Sequence, residues 1–395
     1  MTDGPVFHVE PQGELGNRMI QYMAALKFRH LLPGTQISNV SLPEWGIHHP
    51  PIESPGPVET IGTVHHIDLS SLAARARAGH IRRIECAAWG QRLENFLGPE
   101  HYRSVFRSPA PGSPSFDHRY LVCPIRGGDN LIGSWFYPLT PVEFYADIVA
   151  QTGLTPVFLG QIESNLYTDR LRARFPSGVF LEPRPRLDDF EQIRGAKNIV
   201  VGVSTFHWLA AWLSHADRIF LAVNGLFNPM QYPAAFMVPL DDPRYKFYLF
   251  PLNFGVPLEH HAAAHRRIAP YWRQMPAAAL RRLWLEAPRF EPSPESMHDA
   301  LDCEFYLASN PDVAAGVGRD NADGARLHYR QHGYHQSRAP FRLDPTWYTL
   351  RYPTAALEMA QGDYPSLLHH FAAVGRQRGY QPVPDTSQNG WWEDI

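Results

Sequence analysis

The sequence predicts an α/β protein followed by a small helical repeat module, and three observations lead to that prediction. The chain of 395 residues opens in the order strand, glycine-rich turn, helix. Between residues 116 and 257, short apolar runs alternate regularly with helical segments, as they do in doubly wound parallel sheets. After a proline-rich connector, a set of residues recurs at a fixed offset of 42, which is typical of a duplicated structural unit.

Composition excludes several classes of protein. The net charge is −3, with 36 basic and 39 acidic residues spread evenly, so no basic stripe for nucleic acid and no polybasic membrane patch is expected. No signal peptide and no apolar run of about 18 residues or more stands out. Cys86, Cys123 and Cys303 lie far apart and suit reduced thiols. We expect a cytoplasmic protein without a transmembrane segment, for which peripheral association with the inner face of the cell membrane stays open.

The first part, residues 1–115, is predicted as an N-terminal α/β half. Residues 5–9, PVFHV, predict a strand, and residues 18–32 predict a helix that Gly34 stops. Residues 43–57 are rich in proline and histidine and predict a loop, whereas residues 71–89 predict a further helix and strand. A cluster of Pro, Ser and Gly at 107–115 marks the boundary.

The second part, residues 116–285, is predicted as another α/β half. Apolar runs such as NIVVGV at 198–203 are typical of parallel strands buried on both faces, and four helical segments separate the predicted strands. Trp208 and Trp212 lie four residues apart on one of these helices, and we expect both in the core.

The third part, residues 299–384, is predicted as two tandem repeats of about 42 residues. LDCEFYLASNPDVA begins at Leu301, and LDPTWYTLRYPTAA begins at Leu343. The aromatic residues of these segments favour a small repeat core over a carbohydrate-stacking surface; they are Phe305, Tyr306, Trp347 and Tyr348. The module resembles repeats appended to bacterial glycan-processing and surface proteins, and we interpret it as a docking or acceptor-positioning module.

Three loops follow predicted strands and share features of anion sites. Ligands of open parallel sheets bind at the carboxyl ends of strands, where helix N-termini present free N–H groups. The candidate residues of the three loops are Gly13, Gly16, Asn17, Arg18, Arg126, Gly128, Asp129, Ser204, Thr205 and Phe206. Each loop alone is also compatible with a tight turn or a helix cap. Because all three fall at strand ends, we expect a ligand that carries phosphate.

The same loops resemble motifs of bacterial α-1,2-fucosyltransferase-like enzymes. GELGNRMIQYMAAL at 13–26 resembles their GGLGNQMxQYA opening, and CPIRGGDNL at 123–131 resembles their HxRRGDY loop. VVGVSTFHWLAAWL at 200–213 is similar to their SNSTFSWWAAWL segment, and the three motifs come in family order. The resemblance implies a GT-B-like glycosyltransferase with two Rossmann-type halves and a cleft between them. The donor, GDP-fucose by preference, would bind the second half and the acceptor the first.

The resemblance also implies roles for single residues. Arg126 matches the arginine that grips the donor phosphates, whereas Gly127 replaces a second arginine, Pro124 the family histidine and Arg18 the family glutamine. Arg18 would be one way to supply the charge that Gly127 lacks. These departures leave the donor sugar and the acceptor open.

Glycosyl transfer with inversion requires a base and a stabilised leaving group. Glu14, in the glycine loop, is the preferred base, and Asp129 is the alternative. Arg126 and the helix start at Ser204 and Thr205 would stabilise the departing diphosphate without a metal or other cofactor, since no Asp-x-Asp motif stands out.

One aspartate pair, one histidine pair and the choice of function leave alternatives open. Asp188 and Asp189 suit either the donor base or ribose or a helix cap. His261 and His265 are spaced for a metal, although a solvated helix face is preferred. The function we expect is a transferase that moves fucose or a related sugar to a surface glycan or its lipid-linked precursor. The alternative is a non-catalytic nucleotide- or glycan-binding protein that retains the fold.

Overall fold

The chain forms two compact units in a computed structural model that describes residues 4–107, 116–128, 131, 134–286 and 294–384. The first unit falls within Met1–Ile132 and Leu139–Tyr248, and the second within Gly133–Pro138 and Leu249–Ile395. Both predicted α/β halves contribute strands to the first unit. The predicted boundaries at 115 and 285 stay predictions.

The first half is built on a parallel four-stranded sheet. Its elements are β1 (Val6–Val9), α1 (Leu15–Leu31), β2 (Gln36–Ser38), β3 (Val40–Leu42), β4 (Ile47–His49), β5 (Val58–Ile61), α2 (Leu69–Arg77), β6 (Arg83–Cys86) and α3 (Pro99–Arg103). The strand order is β2-β1-β6-β5, and every pair is parallel. Helix α1 packs on this sheet, since the rings of Phe7 and Phe28 lie 5.2 Å apart.

The prediction of an uninterrupted loop over residues 43–57 was wrong. Strand β4 falls inside that range and pairs antiparallel with β3. A 3₁₀ turn at Pro43–Trp45 and a left-handed Gly46, with φ of 66°, reverse the chain between them. His48 and His49, which contributed to the loop prediction, therefore lie in a strand, and Pro43 begins the turn before it.

The second half is built on a larger sheet. Its elements in the first unit are β7 (Tyr120–Arg126), α4 (Val142–Thr152), β8 (Thr155–Gln161), α5 (Leu166–Arg174), β9 (Val179–Phe180), α6 (Arg186–Gly195), β10 (Asn198–Val201), α7 (Thr205–Trp212), β11 (Arg218–Val223) and β12 (Tyr245–Leu249). These strands follow the order β12-β11-β10-β7-β8-β9, and the pairs from β11 to β9 are parallel. The predicted α/β fold with parallel sheets is therefore confirmed.

Burial explains why the apolar runs form these strands. All residues of β10 are buried, as expected for a parallel strand covered on both faces. The rings of Trp208 and Trp212 stack 5.3 Å apart in the core, as predicted. Cys86 and Cys123 are buried free thiols, and burial raises the pKa of Cys86 to about 11.

The second unit is mostly helical. Its elements are α8 (His261–Ile268), β13 (Arg273–Met275), α9 (Ala277–Arg281), α10 (Pro294–Asp299), α11 (Cys303–Ser309), α12 (Pro311–Val317), α13 (Ala322–His328), α14 (Pro345–Arg351), α15 (Pro353–Gln361) and α16 (Leu367–His370). Single π-helical turns follow α9, α13 and α16.

The same contacts occur twice in this unit, 42 residues apart. A hydrogen bond joins the hydroxyl of Tyr306 to Nδ1 of His328 at 3.0 Å, and an equivalent bond joins Tyr348 to His370 at 2.9 Å. The Asp302 side chain caps α11 as Asp344 caps α14. Of the four aromatic residues singled out above, three are buried and Phe305 is half-buried, so they form core rather than an exposed platform.

The solvated face predicted for His261 and His265 was wrong. The two residues are 6% and 2% exposed, and their rings stack 5.5 Å apart inside the second unit. Helix α8 is covered by α14, to whose carbonyl groups Arg267 donates hydrogen bonds. Within the described ranges, no three metal-ligating side chains cluster, and no helix has both the length and the apolar character needed to cross a membrane.

Candidate active site

Strand order defines a ligand position in the second sheet. From β7 the chain continues to β8 and β9 on one side, and to β10, β11 and β12 on the other. The gap at the carboxyl ends of β7 and β10 is therefore the topological switch point, where open α/β sheets bind ligands. Arg126 is the last residue of β7, and Ser204 follows β10 and caps α7. Two of the three predicted loops thus meet at this point.

The start of α7 brings a neutral histidine close to Arg126. The Ser204 hydroxyl accepts a hydrogen bond from the His207 amide at 3.4 Å. Burial, together with the nearby charge of Arg126, lowers the pKa of the His207 imidazole to about 3. The imidazole is therefore neutral at physiological pH and adds no second positive charge beside Arg126.

The loop after β7 explains one departure from the fucosyltransferase motif. A Cβ on Gly127 would lie 2.6 Å from the carbonyl oxygen of Gln161, the last residue of β8. Gly128 donates its amide to the Gln161 side chain at 3.0 Å. Close packing against β8 thus requires glycine where the family has its second arginine. Asp129 lies outside the described residues.

The first sheet has its own switch point, between β1 and β6. The glycine loop follows β1, and a loop with Trp89 and Gln91 follows β6. The buried Gln21 ties the two loops together, because its amide nitrogen donates to the carbonyl oxygens of Glu10 and Ala88, each at 3.0 Å. The Asn17 side chain accepts from Gln91 at 3.0 Å, so Asn17 supports the loop.

Gly13 and Gly16 are needed for different reasons. Gly13 has φ of 61°, and a Cβ there would come within 2.9 Å of the Trp89 ring. Gly16 lies in the first turn of α1, and a Cβ there would stand 2.8 Å from the Phe206 amide nitrogen and 2.9 Å from the Thr205 hydroxyl. The N-terminus of α1 therefore touches the N-terminus of α7, and the two switch points adjoin.

Glu14 and Arg18 differ in exposure and in contacts. Glu14 stands at the N-cap of α1 but makes no capping bond with its side chain. Its carboxylate instead pairs with the Arg186 guanidinium, on the first turn of α6, at 3.0 Å. Arg18 is half-buried, and its Nε is buried without a hydrogen-bond partner.

Asp189, also in the first turn of α6, has an unusual environment. Burial raises the pKa of this carboxyl to about 6, although the charge of Arg184 opposes the shift. Its Oδ1 is buried without a hydrogen bond, and the Arg184 Nε lies 3.9 Å away. The adjacent Phe190 ring packs 5.3 Å from that of Phe206, so the turn of α6 that carries Asp189 lies against the start of α7.

Sequence reasoning did not select three residues of this region. Arg186 lies in the segment that drew attention only to the two aspartates, and its contact with Glu14 spans 172 positions. Trp89 and Gln91 follow β6 directly, so an aromatic and an amide residue after a predicted strand were the signal that could have identified them.

Comparisons with known proteins add little to this geometry. No protein-family model matches the chain, and no curated protein matches it. Among solved structures, the chain is similar to TibC, a bacterial iron-containing dodecameric glycosyltransferase from enterotoxigenic E. coli, with 13% identity and a TM-score of 0.33. The match covers 60% of this chain and 62% of that one, so the chain spans less than two thirds of TibC. That likeness is too low to assign a family or an activity.

Proposed function

We propose that the protein is a glycosyltransferase that takes a sugar from a nucleotide-sugar donor, GDP-fucose by preference. The observation that carries the proposal is the contact between Gly16 and Phe206, through which the switch points of two parallel sheets adjoin. A donor bound at one switch point lies next to an acceptor bound at the other. Two adjoining ligand positions are what group transfer between two substrates requires.

The donor diphosphate binds at the start of α7. Arg126 supplies the fixed positive charge, and the Ser204 hydroxyl occupies only one of the free amides of the first turn. The remaining N–H groups and the helix dipole favour an anion there. The same groups stabilise the negative charge that grows on the leaving diphosphate, which is the larger part of catalysis in such reactions.

Asp189 gives the site a preference for guanine. Guanine presents two adjacent donors, N1–H and the N2 amino group, which match the two oxygens of a carboxylate. Uracil and thymine present one N–H between two carbonyl oxygens, which a carboxylate repels. The buried oxygen of Asp189 without a hydrogen bond is the group that a guanine base would satisfy.

The acceptor is a glycan hydroxyl held at the first switch point, in surface polysaccharide synthesis. Its oxygen attacks C1 of the donor sugar as the bond from C1 to the diphosphate breaks, which inverts the configuration. Glu14 takes the proton of the hydroxyl, and the diphosphate leaves with the electron pair. The alternative is a protein that binds the nucleotide or glycan without transfer.

Thermal-shift titration tests the donor site first. GDP-, UDP- and dTDP-sugars are added to the wild type, to Arg126→Ala and to the control Arg119→Ala, whose guanidinium lies in an exposed pair with Asp117. We expect the GDP-sugar to stabilise the wild type and the control, and to stabilise Arg126→Ala much less. GDP release in the presence of glycan acceptors then separates transfer from binding alone. A wild type that no nucleotide sugar stabilises at millimolar concentration would refute the proposal.

A further inference from the structure

One ion pair joins the two halves of the first unit beside the proposed donor site. The Glu14 carboxylate, at the start of α1, lies 3.0 Å from the Arg186 guanidinium, at the start of α6. The elements that carry them are close neighbours of the site: Gly16 touches Phe206, and Phe190 of α6 packs on the same Phe206 ring. The pair therefore borders the position where two helix N-termini meet.

The pair is easily broken. Its side chains are 81% and 65% exposed, and ion pairs so exposed contribute little to stability. The Arg186 side chain also lies at the positive end of α6, where a cation is disfavoured. Glu14 does not use its carboxylate to cap its own helix. A diphosphate carries more negative charge than one carboxylate and offers several acceptors to a guanidinium, so it would compete successfully for Arg186.

The loop after β7 has no room for a second cationic side chain at Gly127. Contact with the Gln161 carbonyl oxygen excludes any side chain at Gly127, so that loop offers the diphosphate Arg126 from β7 and no second arginine at this position. We propose that Arg186 is the second cation of the donor site, and that Glu14 holds it until the diphosphate displaces the carboxylate. This inference rests on the proposed function and states how its donor site is controlled.

Displacement couples donor binding to catalysis. While Glu14 is paired with Arg186, the guanidinium occupies one of its carboxylate oxygens, which then does not face the incoming hydroxyl. When the diphosphate takes Arg186, Glu14 is released beside the first switch point. The acceptor proton therefore has a base only after the donor has bound.

GDP titration of single and double variants tests the pairing, with GDP as the probe. Loss of the competitor in Glu14→Gln should tighten GDP binding about two- to fivefold. Loss of the cation in Arg186→Gln should weaken it about tenfold. The double variant should behave as Arg186→Gln does. The control pair is Glu59→Gln and Arg75→Gln, an exposed pair in the same unit with N–O contacts of 2.9 Å, which should leave GDP binding unchanged.

The opposite effects of Glu14→Gln and Arg186→Gln on GDP affinity distinguish the proposal from a purely structural role of the pair. If Glu14 and Arg186 only held the halves together, both variants would weaken GDP binding, and that result overturns the proposal. Wild-type binding in Arg186→Gln overturns it too, while the proposed function stands. Failure of the wild type to bind any nucleotide refutes the proposed function and the inference with it. Equal melting temperatures of wild type and variants verify folding, as expected for exposed side chains.

Discussion

Gly16 and Phe206 approach each other so closely that a Cβ on Gly16 would stand 2.8 Å from the Phe206 amide nitrogen. The contact joins the first turn of α1 to the first turn of α7. Beyond the opposite end of α7, Arg103 donates hydrogen bonds to the carbonyl oxygens of Leu213 and Ser214 and so holds that helix to the first half. The relative position of the two switch points therefore depends on a glycine.

Gly16→Ala should separate the two helices. The added methyl meets backbone atoms that cannot rotate away, and overpacking of this kind costs about 1–3 kcal/mol of unfolding free energy. Urea denaturation measures that loss, and GDP titration measures the accompanying loss of affinity. Gly62→Ala is the control, because nothing lies within 4 Å of its Cβ position. This prediction would be contradicted if Gly16→Ala were as stable as the control and bound GDP with the same affinity.

The glycine loop illustrates what sequence reasoning could and could not supply. Gly13 and Gly16 were predicted to lie in the site of a ligand that carries phosphate, and the strand and helix around them were predicted from apolar periodicity. The group that approaches Gly16 is the backbone of α7, far away in the chain. Local patterns carry no information about which distant helix packs there.

The same limit of local sequence patterns accounts for the other differences between the predictions and the structure. The partner of Glu14 lies on α6, and His261 and His265 are buried within the second unit, which their spacing alone does not indicate. The alternation of strands and helices was predictable because burial on both faces selects continuous apolar runs. The switch points were not, since strand order is set by tertiary packing.

Asp189→Asn should stabilise the protein at neutral pH. The carboxyl is 14% exposed, and its pKa is about 6 in the folded protein, against 3.8 as the usual value. A folded pKa above the unfolded one means that the charged form is disfavoured, so stability falls as pH rises through about 6. The Asn variant avoids this penalty, which amounts to about 3 kcal/mol above pH 6.

Denaturation at pH 4 and pH 8 measures that gain. The advantage of Asp189→Asn should be present at pH 8 and nearly absent at pH 4, where the wild-type carboxyl is protonated in the folded protein. Asp188→Asn is the control, since Asp188 is exposed. A gain of equal size at both pH values would show that the charge is not its cause.

The affinity for GDP should depend on pH in the opposite direction to folding stability. In the proposed site, Asp189 accepts hydrogen bonds from the base only when it is ionised, so GDP affinity should fall as pH drops below about 6. Asp189→Asn should bind GDP more weakly and with a flat pH profile. Isothermal titration between pH 5 and pH 8 tests both statements, with UDP as the comparison. A profile that still falls in the Asn variant would assign the pH dependence to another group.

Replacing two glycines of the second unit with alanine should change the free energy of unfolding in opposite directions. A Cβ on Gly375 would lie 2.5 Å from the Tyr348 hydroxyl, which is bonded to the buried His370, so Gly375→Ala should cost about 1–3 kcal/mol. Gly316 lies in α12 with nothing within 4 Å of its Cβ position, so Gly316→Ala should gain about 0.5–1 kcal/mol. Chemical denaturation measures both. A shift of the same sign in the two variants would be inconsistent with the repeat geometry.

Gly127→Arg would introduce the second arginine of the fucosyltransferase motif that this loop resembles, yet it should not improve the proposed donor site. Its Cβ would lie 2.6 Å from the Gln161 carbonyl oxygen, a backbone atom at the end of β8. The strand end must shift, at a cost of about 1–3 kcal/mol of unfolding free energy, and Arg126 on the adjacent β7 shifts with it. GDP affinity should therefore stay the same or fall, whereas the control Gly62→Arg should leave both affinity and stability unchanged. Tighter GDP binding by Gly127→Arg would mean that the loop tolerates a side chain, and that glycine there reflects the choice of donor rather than packing against β8.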